Sequence, residues 1–208
     1  EIVSVLAKAE QEAVGSMGDD TPMPVLSKQI RSLFDYFRQQ FAQVTNPPID
    51  PLREQVVMSL ATQIGREGNI FELTPENARQ VMLNSPILSQ RKLRQLLAMD
   101  EFAQSHARIE LYFRAEEGLE AALRRILRQA EHEVRNGAAL LLLSDRYPPM
   151  PDMLAVHALL ATGAVHHYLI REGLRTRVSI VLETGEAREV HHFALLIGYG
   201  ASAINPYV

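Results

Sequence analysis

Cysteine does not occur in this chain of 208 residues. Without thiols the chain can form no disulfide, no thiolate nucleophile, and no cysteine-ligated zinc or iron–sulfur site of its own. Any redox centre must lie outside these residues. Long apolar runs are missing too: no stretch of about 18 apolar residues occurs, and no charged, apolar and small-residue leader is present. Neither a membrane span nor a signal peptide is expected, which makes the cytoplasm the expected compartment. An excess of one charge is also lacking, with 21 Lys and Arg against 25 Asp and Glu spread without blocks. That balance leaves no electrostatic footprint for nucleic acid or anionic lipid, so neither is an expected partner. Repeats and low-complexity tracts are absent.

What is present is apolar bulk. At 47% hydrophobic, a chain of this length can bury roughly 70% of its unfolded surface, enough for one large domain or a domain with an appendage. The sequence opens at Glu1 inside a charged helical pattern and stops at Asn205-Pro206-Tyr207-Val208, just after an incoming strand. A segment of a longer polypeptide is the expectation.

The first half reads as helical. Residues 2–14 carry helical spacing, and turn residues follow in Gly15-Ser16-Met17-Gly18-Asp19-Asp20-Thr21-Pro22. Ser27 can cap a helix running to about Gln43, with Ile30, Leu33, Phe34, Phe37 and Phe41 at three- and four-residue steps. Residues 52–64 again show helical spacing, ended by Gly65, Gly68 and Asn69. Residues 69–100 are less regular connecting structure, although Thr74-Pro75-Glu76-Asn77 resembles a helix start and Ser89 can cap a helix from Gln90 to Leu97.

From Glu116 the rhythm changes. A long amphipathic helix to about Asn136 leads through Gly137 into the apolar run Ala138 to Leu143, and residues 153–172 are nearly apolar throughout. Arg177 to Leu182 gives a second buried strand, residues 187–198 a further helix, and Ala201 to Ile204 a third strand. Strands alternating with helices of this length argue for a parallel sheet. The expected fold is therefore α/β, with a mainly helical part over 1–115 packed on a parallel β/α sheet over 116–208, open or half-barrel and truncated at its C-terminus.

In such sheets ligands collect beyond the carboxyl ends of the strands. Those ends carry Asp145 with Arg146, Glu183 with Thr184, and Asn205, which either form one polar rim or cap the helices and turns that follow. The pairs His166-His167 and His191-His192 invite a metal reading, but adjacent helical residues diverge by roughly 100° and cannot both face one ion. Each pair reads better as one buried, hydrogen-bonded ring and one interfacial ring, and no metal is expected. Gly198-Tyr199-Gly200 ends a helix instead of opening one after a strand, and no GxSxG elbow occurs. No catalytic constellation is visible.

Residues 43–51, Gln-Val-Thr-Asn-Pro-Pro-Ile-Asp-Pro, are stiff and cannot be helical, because each proline fixes φ, removes an N–H and restricts the residue before it. Taken alone they read as a rigid interhelix loop that shows bare carbonyl oxygens.

This segment, the 15–22 loop, residues 166–177, residues 183–194 and the ending Gly198-Tyr199-Gly200-Ala201 and Asn205-Pro206-Tyr207 together resemble the central domain of the glutamate synthase large subunit. The match runs nearly end to end, loosest over 69–153, and residues 98–115 are expected to vary. The resemblance implies a polypeptide in which an N-terminal glutaminase domain releases ammonia from glutamine, and a barrel carrying FMN and an iron–sulfur cluster adds it to 2-oxoglutarate to make a second glutamate. This segment would join those two domains, help wall an ammonia tunnel, and catalyse nothing alone. Thr45, Asn46, Pro47, Pro48 and Ile49 would face the tunnel, with the loop carrying Ser16, Met17 and Gly18 beside them. The electron donor, NADPH through a small NADPH-oxidising subunit or ferredoxin, stays open. The alternative is an independent α/β domain binding a small polar ligand through Asp145, Glu183 and Asn205.

Overall fold

The computed structural model describes residues 8, 24–37, 52, 58–69, 71–148, 150 and 152–208. The chain divides into two compact units, Glu1–Ser59 and Leu60–Val208. The 2–14 helix apart from residue 8, the 15–22 loop and the proline segment lie outside the described residues.

In the first unit the expected helix from Ser27 is not formed over residues 27–37. Over residues 24–37 the described backbone forms short 3-10 turns, at Pro24–Leu26 and Leu33–Tyr36. The reason is local: Ser27 Oγ accepts from Gln29 N–H at 3.1 Å, and Ser32 Oγ accepts from Phe34 N–H at 3.4 Å. Such side-chain bonds offer the backbone an alternative to the helical ladder. Phe34 is nevertheless fully buried, as its place in the apolar pattern anticipates.

The second unit is built on a four-stranded parallel sheet of β3 (His106–Glu110), β5 (Leu140–Ser144), β7 (Ser179–Thr184) and β8 (Ala203–Pro206), adjacent in that order. An α/β fold is thus present, with four sheet strands instead of three. The additional strand, β3, falls in the stretch expected to vary and before residue 116. Two short antiparallel pairs accompany the sheet: β1 (Thr62–Ile64) with β2 (Val81–Leu83), and β4 (Tyr112–Phe113) with β6 (Leu154–Ala155). Strand β1 replaces the end of the helix expected over 52–64. Ile64 explains that outcome, because it is fully buried in a cluster with Leu88, Leu140, Leu142 and Val181. Tertiary burial overrides the helical spacing there.

Every residue of β5 and β7 is buried, the pattern of strands covered on both faces. On one face Leu140, Leu142, Val181 and Ala203 pack with Leu93 and Leu96 of α1 (Gln90–Leu97). Leu141, Leu143, Ile180 and Leu182 alternate with them, point the other way and are also buried. Ser89 caps α1 as expected, accepting from Lys92 N–H at 3.3 Å. Helix α2 (Leu119–Arg135) buries Ala122, Ile126, Ala130 and Val134 at four-residue steps and lies against β3. Gly137 follows it at φ 102°, a left-handed exit open to glycine. Helix α3 (Ala158–Arg171) packs on β7 and sits between α2 and α4 (Val190–Gly198).

Beyond β8 the sheet is closed by an extended segment. Leu88 N–H donates to Ile204 O at 2.8 Å, and Ile204 N–H donates to Pro86 O at 2.7 Å. No helix among the described residues is long and apolar enough to cross a membrane.

Candidate functional site

The parallel register brings the expected rim residues to one edge. Ser144 pairs across with both Glu110 and Glu183, and Glu183 with Asn205. Asp145 follows β5 directly. All three rim residues are buried, with Glu183 2% and Asn205 0% exposed. They face protein partners more than open solvent.

Glu183 is the hub of one cluster. Its Oε2 accepts from Arg108 Nη1 at 2.9 Å and from Ser144 Oγ at 2.8 Å; its Oε1 accepts from Arg146 Nη1 at 3.1 Å and from Gln90 Nε2 at 3.4 Å. Arg108 also donates to Ser144 Oγ and to Glu110, both at 2.6 Å, and Arg146 donates to Gln90 Oε1. Burial alone would raise the Glu183 carboxyl. The donations from Ser144, Arg146 and Arg108 reverse that and hold it below the ordinary carboxylate range. Tyr147 covers the cluster from the solvent side, its ring centroid 5.1 Å from the Arg146 guanidinium and 5.9 Å from that of Arg108.

Asp145 organises a second cluster. Oδ1 accepts from Tyr207 OH at 2.7 Å and from Gly185 N–H at 3.2 Å, and Oδ2 accepts from Thr184 Oγ1. Its carbonyl accepts from Tyr112 OH and Tyr207 OH. Burial, then donation to the Asp145 carboxylate, push the Tyr207 phenol upward.

Beside this cluster, Glu186 Oε2 accepts from Ala158 N–H at 2.7 Å in the first turn of α3 and lies 3.3 Å from His157 Nδ1. The distance alone reads as an ion pair. Burial, reinforced by Asp145, nevertheless raises Glu186 to about 7, while burial and His192 lower His157. His157 Nδ1 also accepts from Leu159 N–H at 3.2 Å, which requires its lone pair. Near neutral pH the contact therefore joins a neutral imidazole to a carboxyl that is only partly ionised.

Asn205 donates through Nδ2 to Leu88 O at 2.8 Å, and its buried Oδ1 has no hydrogen-bond partner among the described residues. It ties β8 to the 86–88 segment. The sequence reading missed Arg108, Gln90, Glu186 and Tyr207. A faint signal existed for Arg108, as an arginine two residues before a glutamate in an alternating stretch.

Neither histidine pair contains the buried ring expected: His166 and His192 are half-buried, His167 and His191 exposed. The His166 and His167 rings lie 5.1 Å apart at 78°, and those of His191 and His192 6.3 Å apart. His166 Nδ1 accepts from Arg175 Nε at 2.9 Å, and burial together with that cation lowers its pKa. Gly200, at φ 112°, allows this ring to approach: an added Cβ there would fall 2.2 Å from His166 Nδ1. Among the described residues no group of three or more His, Asp or Glu could hold a metal ion. A polar cleft of about 720 Å³, lined by Arg66, Glu67, Glu72, Arg79 and Asp100, includes Ala139 and so lies toward the amino end of β5, away from the rim. The expected tunnel residues Thr45, Asn46, Pro47, Pro48, Ile49, Ser16, Met17 and Gly18 lie outside the described residues.

A helix-flanked parallel sheet whose carboxyl edge is filled by its own hydrogen-bonded side chains defines an α/β domain with an internally satisfied rim. The chain belongs to the glutamate synthase central domain family, whose model matches residues 1–208. It is 48% identical over 206 residues to the glutamate synthase [NADPH] large chain of Bacillus subtilis (strain 168), covering 97% of this chain and 13% of that protein. It is 46% identical over 212 residues to the chloroplastic ferredoxin-dependent glutamate synthase 2 of Arabidopsis thaliana, and 43% identical over 212 residues to the glutamate synthase [NADH] of Schizosaccharomyces pombe. Those matches cover 100% of this chain and only 13% and 10% of the relatives.

Proposed function

We propose that this segment is the non-catalytic middle of a glutamate synthase, a polypeptide that converts glutamine and 2-oxoglutarate to two glutamates. It joins the glutaminase and FMN-binding domains of the same chain and helps wall the route that ammonia takes between them. The observation that carries this reading is the state of the sheet's carboxyl edge. Glu183 is neutralised by two guanidiniums, and the Thr184 hydroxyl already donates to Asp145. Glu186 has a proton affinity suited to acid–base work, but its carboxylate is bound at the first turn of α3. These groups hold strands together and leave no assembled nucleophile and base.

The cofactors implied for the whole polypeptide do not fit these residues. An iron–sulfur cluster needs thiolates, and the chain has no cysteine. Arg108 and Arg146, which could meet an FMN phosphate, are committed to Glu183. The electron donor, whether NADPH through a small subunit or ferredoxin, is set elsewhere in the polypeptide or its partners.

Ammonia must travel as neutral NH3 and is lost once protonated or released. A wall of Thr45, Asn46, Pro47, Pro48 and Ile49 supplies carbonyl acceptors and an apolar side chain on a backbone stiffened by proline, and Ser16, Met17 and Gly18 adjoin it. Replacing Pro47 and Pro48 by glycine in the full-length protein should leave both half-reactions intact while glutamine hydrolysis outruns glutamate formation. An unchanged ratio of the two would end the tunnel role. The competing reading, a small-ligand domain using Asp145, Glu183 and Asn205, requires saturable binding by these residues. Calorimetry with glutamine, glutamate, 2-oxoglutarate and FMN tests it.

A further inference from the structure

Helix α4 carries no Asp, Glu, Lys or Arg; its residues are Val-His-His-Phe-Ala-Leu-Leu-Ile-Gly. Val190, His191, Ala194, Ile197 and Gly198 are all exposed, Val190 at 85% and Ile197 at 40%. At roughly 100° per residue these five positions fall within one sector about 120° wide. Leu196, on the other side, is the buried residue of the helix. A helix normally turns its apolar sector to the core and its charges to water. Helix α2 does so, burying alanine, isoleucine and valine while Arg124 and Glu120 stand in solvent. On α4 a sector without Asp, Glu, Lys or Arg faces outward.

The row of helices shows what such a face fits. Helix α3 has a neighbour on each flank, α2 and α4, and buries seven of its residues. Among the described residues helix α4 occupies the end of that row, with no helix on its other flank. Small residues at Ala194 and Gly198 allow another backbone to come close, and Val190 and Ile197 supply apolar area around them. A nine-residue helix is only about 13 Å long. Its face falls well short of the roughly 800 Å² per partner that a stable free-standing dimer needs. A tethered segment needs far less area, because its effective concentration is of millimolar order. The relatives supply that tether: this chain spans only 10–14% of their length.

We infer that the outward face of α4 is an intramolecular docking surface, covered by an apolar helix from the same full-length polypeptide outside residues 1–208. This inference rests on family membership and is independent of the ammonia route.

The test places single cysteines in the full-length protein and follows maleimide labelling by peptide-resolved mass spectrometry. Ala194→Cys and Val190→Cys probe the face, and Arg124→Cys on exposed α2 is the reference. The thiols on α4 should react at least about tenfold more slowly than the reference, with protection persisting on dilution, since only rare local opening would expose them. Reaction within about twofold of the reference at both α4 positions overturns the inference. Protection lost on dilution also overturns it, because a second copy or a separate subunit would then be the cover. Because both α4 side chains are exposed, the substitutions leave the fold of the segment in place. The readout does not depend on how ammonia is channelled.

Discussion

Two glutamates three residues apart, at the end of one strand, behave in opposite ways. Glu183 is almost entirely buried and keeps its charge, because four donors converge on it, two of them guanidiniums. Glu186 is less buried, with its side chain 31% exposed, yet its carboxyl rises to about 7. One backbone N–H supports its anion, and Asp145 opposes it. Burial pushes both carboxyls upward; the count and sign of the partners decide whether that push is overcome.

The contrast is broken most directly by Glu183→Ala. Removing the hub leaves Arg108 and Arg146 beside each other in a partly buried site, and a loss of about 2 kcal/mol is expected in urea unfolding. A loss no larger than that from Glu186→Ala would mean that the two clusters are equivalent after all. The wild-type contribution also has a defined pH sense. Since the folded Glu183 pKa lies below the unfolded value near 4.3, its stabilisation is present above that value and fades as pH falls through the lowered one.

Glu186 should run the other way. Its folded pKa is raised, so its contribution is most favourable below about 4.3 and is lost as pH rises toward 7. Glu186→Gln keeps the acceptor for Ala158 N–H and removes the titration. The variant should match the wild type near pH 4 and exceed it near pH 8 by on the order of 1 kcal/mol, after discounting for solvent screening. Parallel stability–pH curves for the two proteins would contradict the assignment. The smallest effect is expected at Tyr147, 61% exposed over the two arginines. Tyr147→Ala should cost about 0.5 kcal/mol, as exposed cation–π contacts do. A much larger loss would show that the ring shields the Glu183 cluster from water.

Much of the sheet was legible because burial on both faces writes itself as continuous apolar runs. Leu140 to Leu143 and Ile180 to Leu182 could be read as strands without any partner in view. Strand β3 could not, since His106-Ala-Arg-Ile-Glu buries only Ile109 and alternates with polar residues. Its role as a sheet edge appears only once β5 lies beside it. The stretch after Ser27 misled for a different reason. Its apolar spacing is helical, but serine hydroxyls capture nearby N–H groups and the spacing is spent on short 3-10 turns. At the site, the acids were identifiable as strand-end residues. Their neutralisation was not, because Arg108, Gln90 and Arg146 come from three separate elements, and only the fold decides which carboxylate each one meets.

The strip of chain from Pro86 to Leu88 has a bearing on solubility. Strand β8 would otherwise present bare amide and carbonyl groups along its margin, an invitation to strand addition between molecules. Leu88 and Pro86 occupy the two groups of Ile204, the Asn205 amide fastens the strip, and Pro206 has no amide to offer. The margin is thus shut against templated polymerisation before any neighbouring domain arrives to cover it.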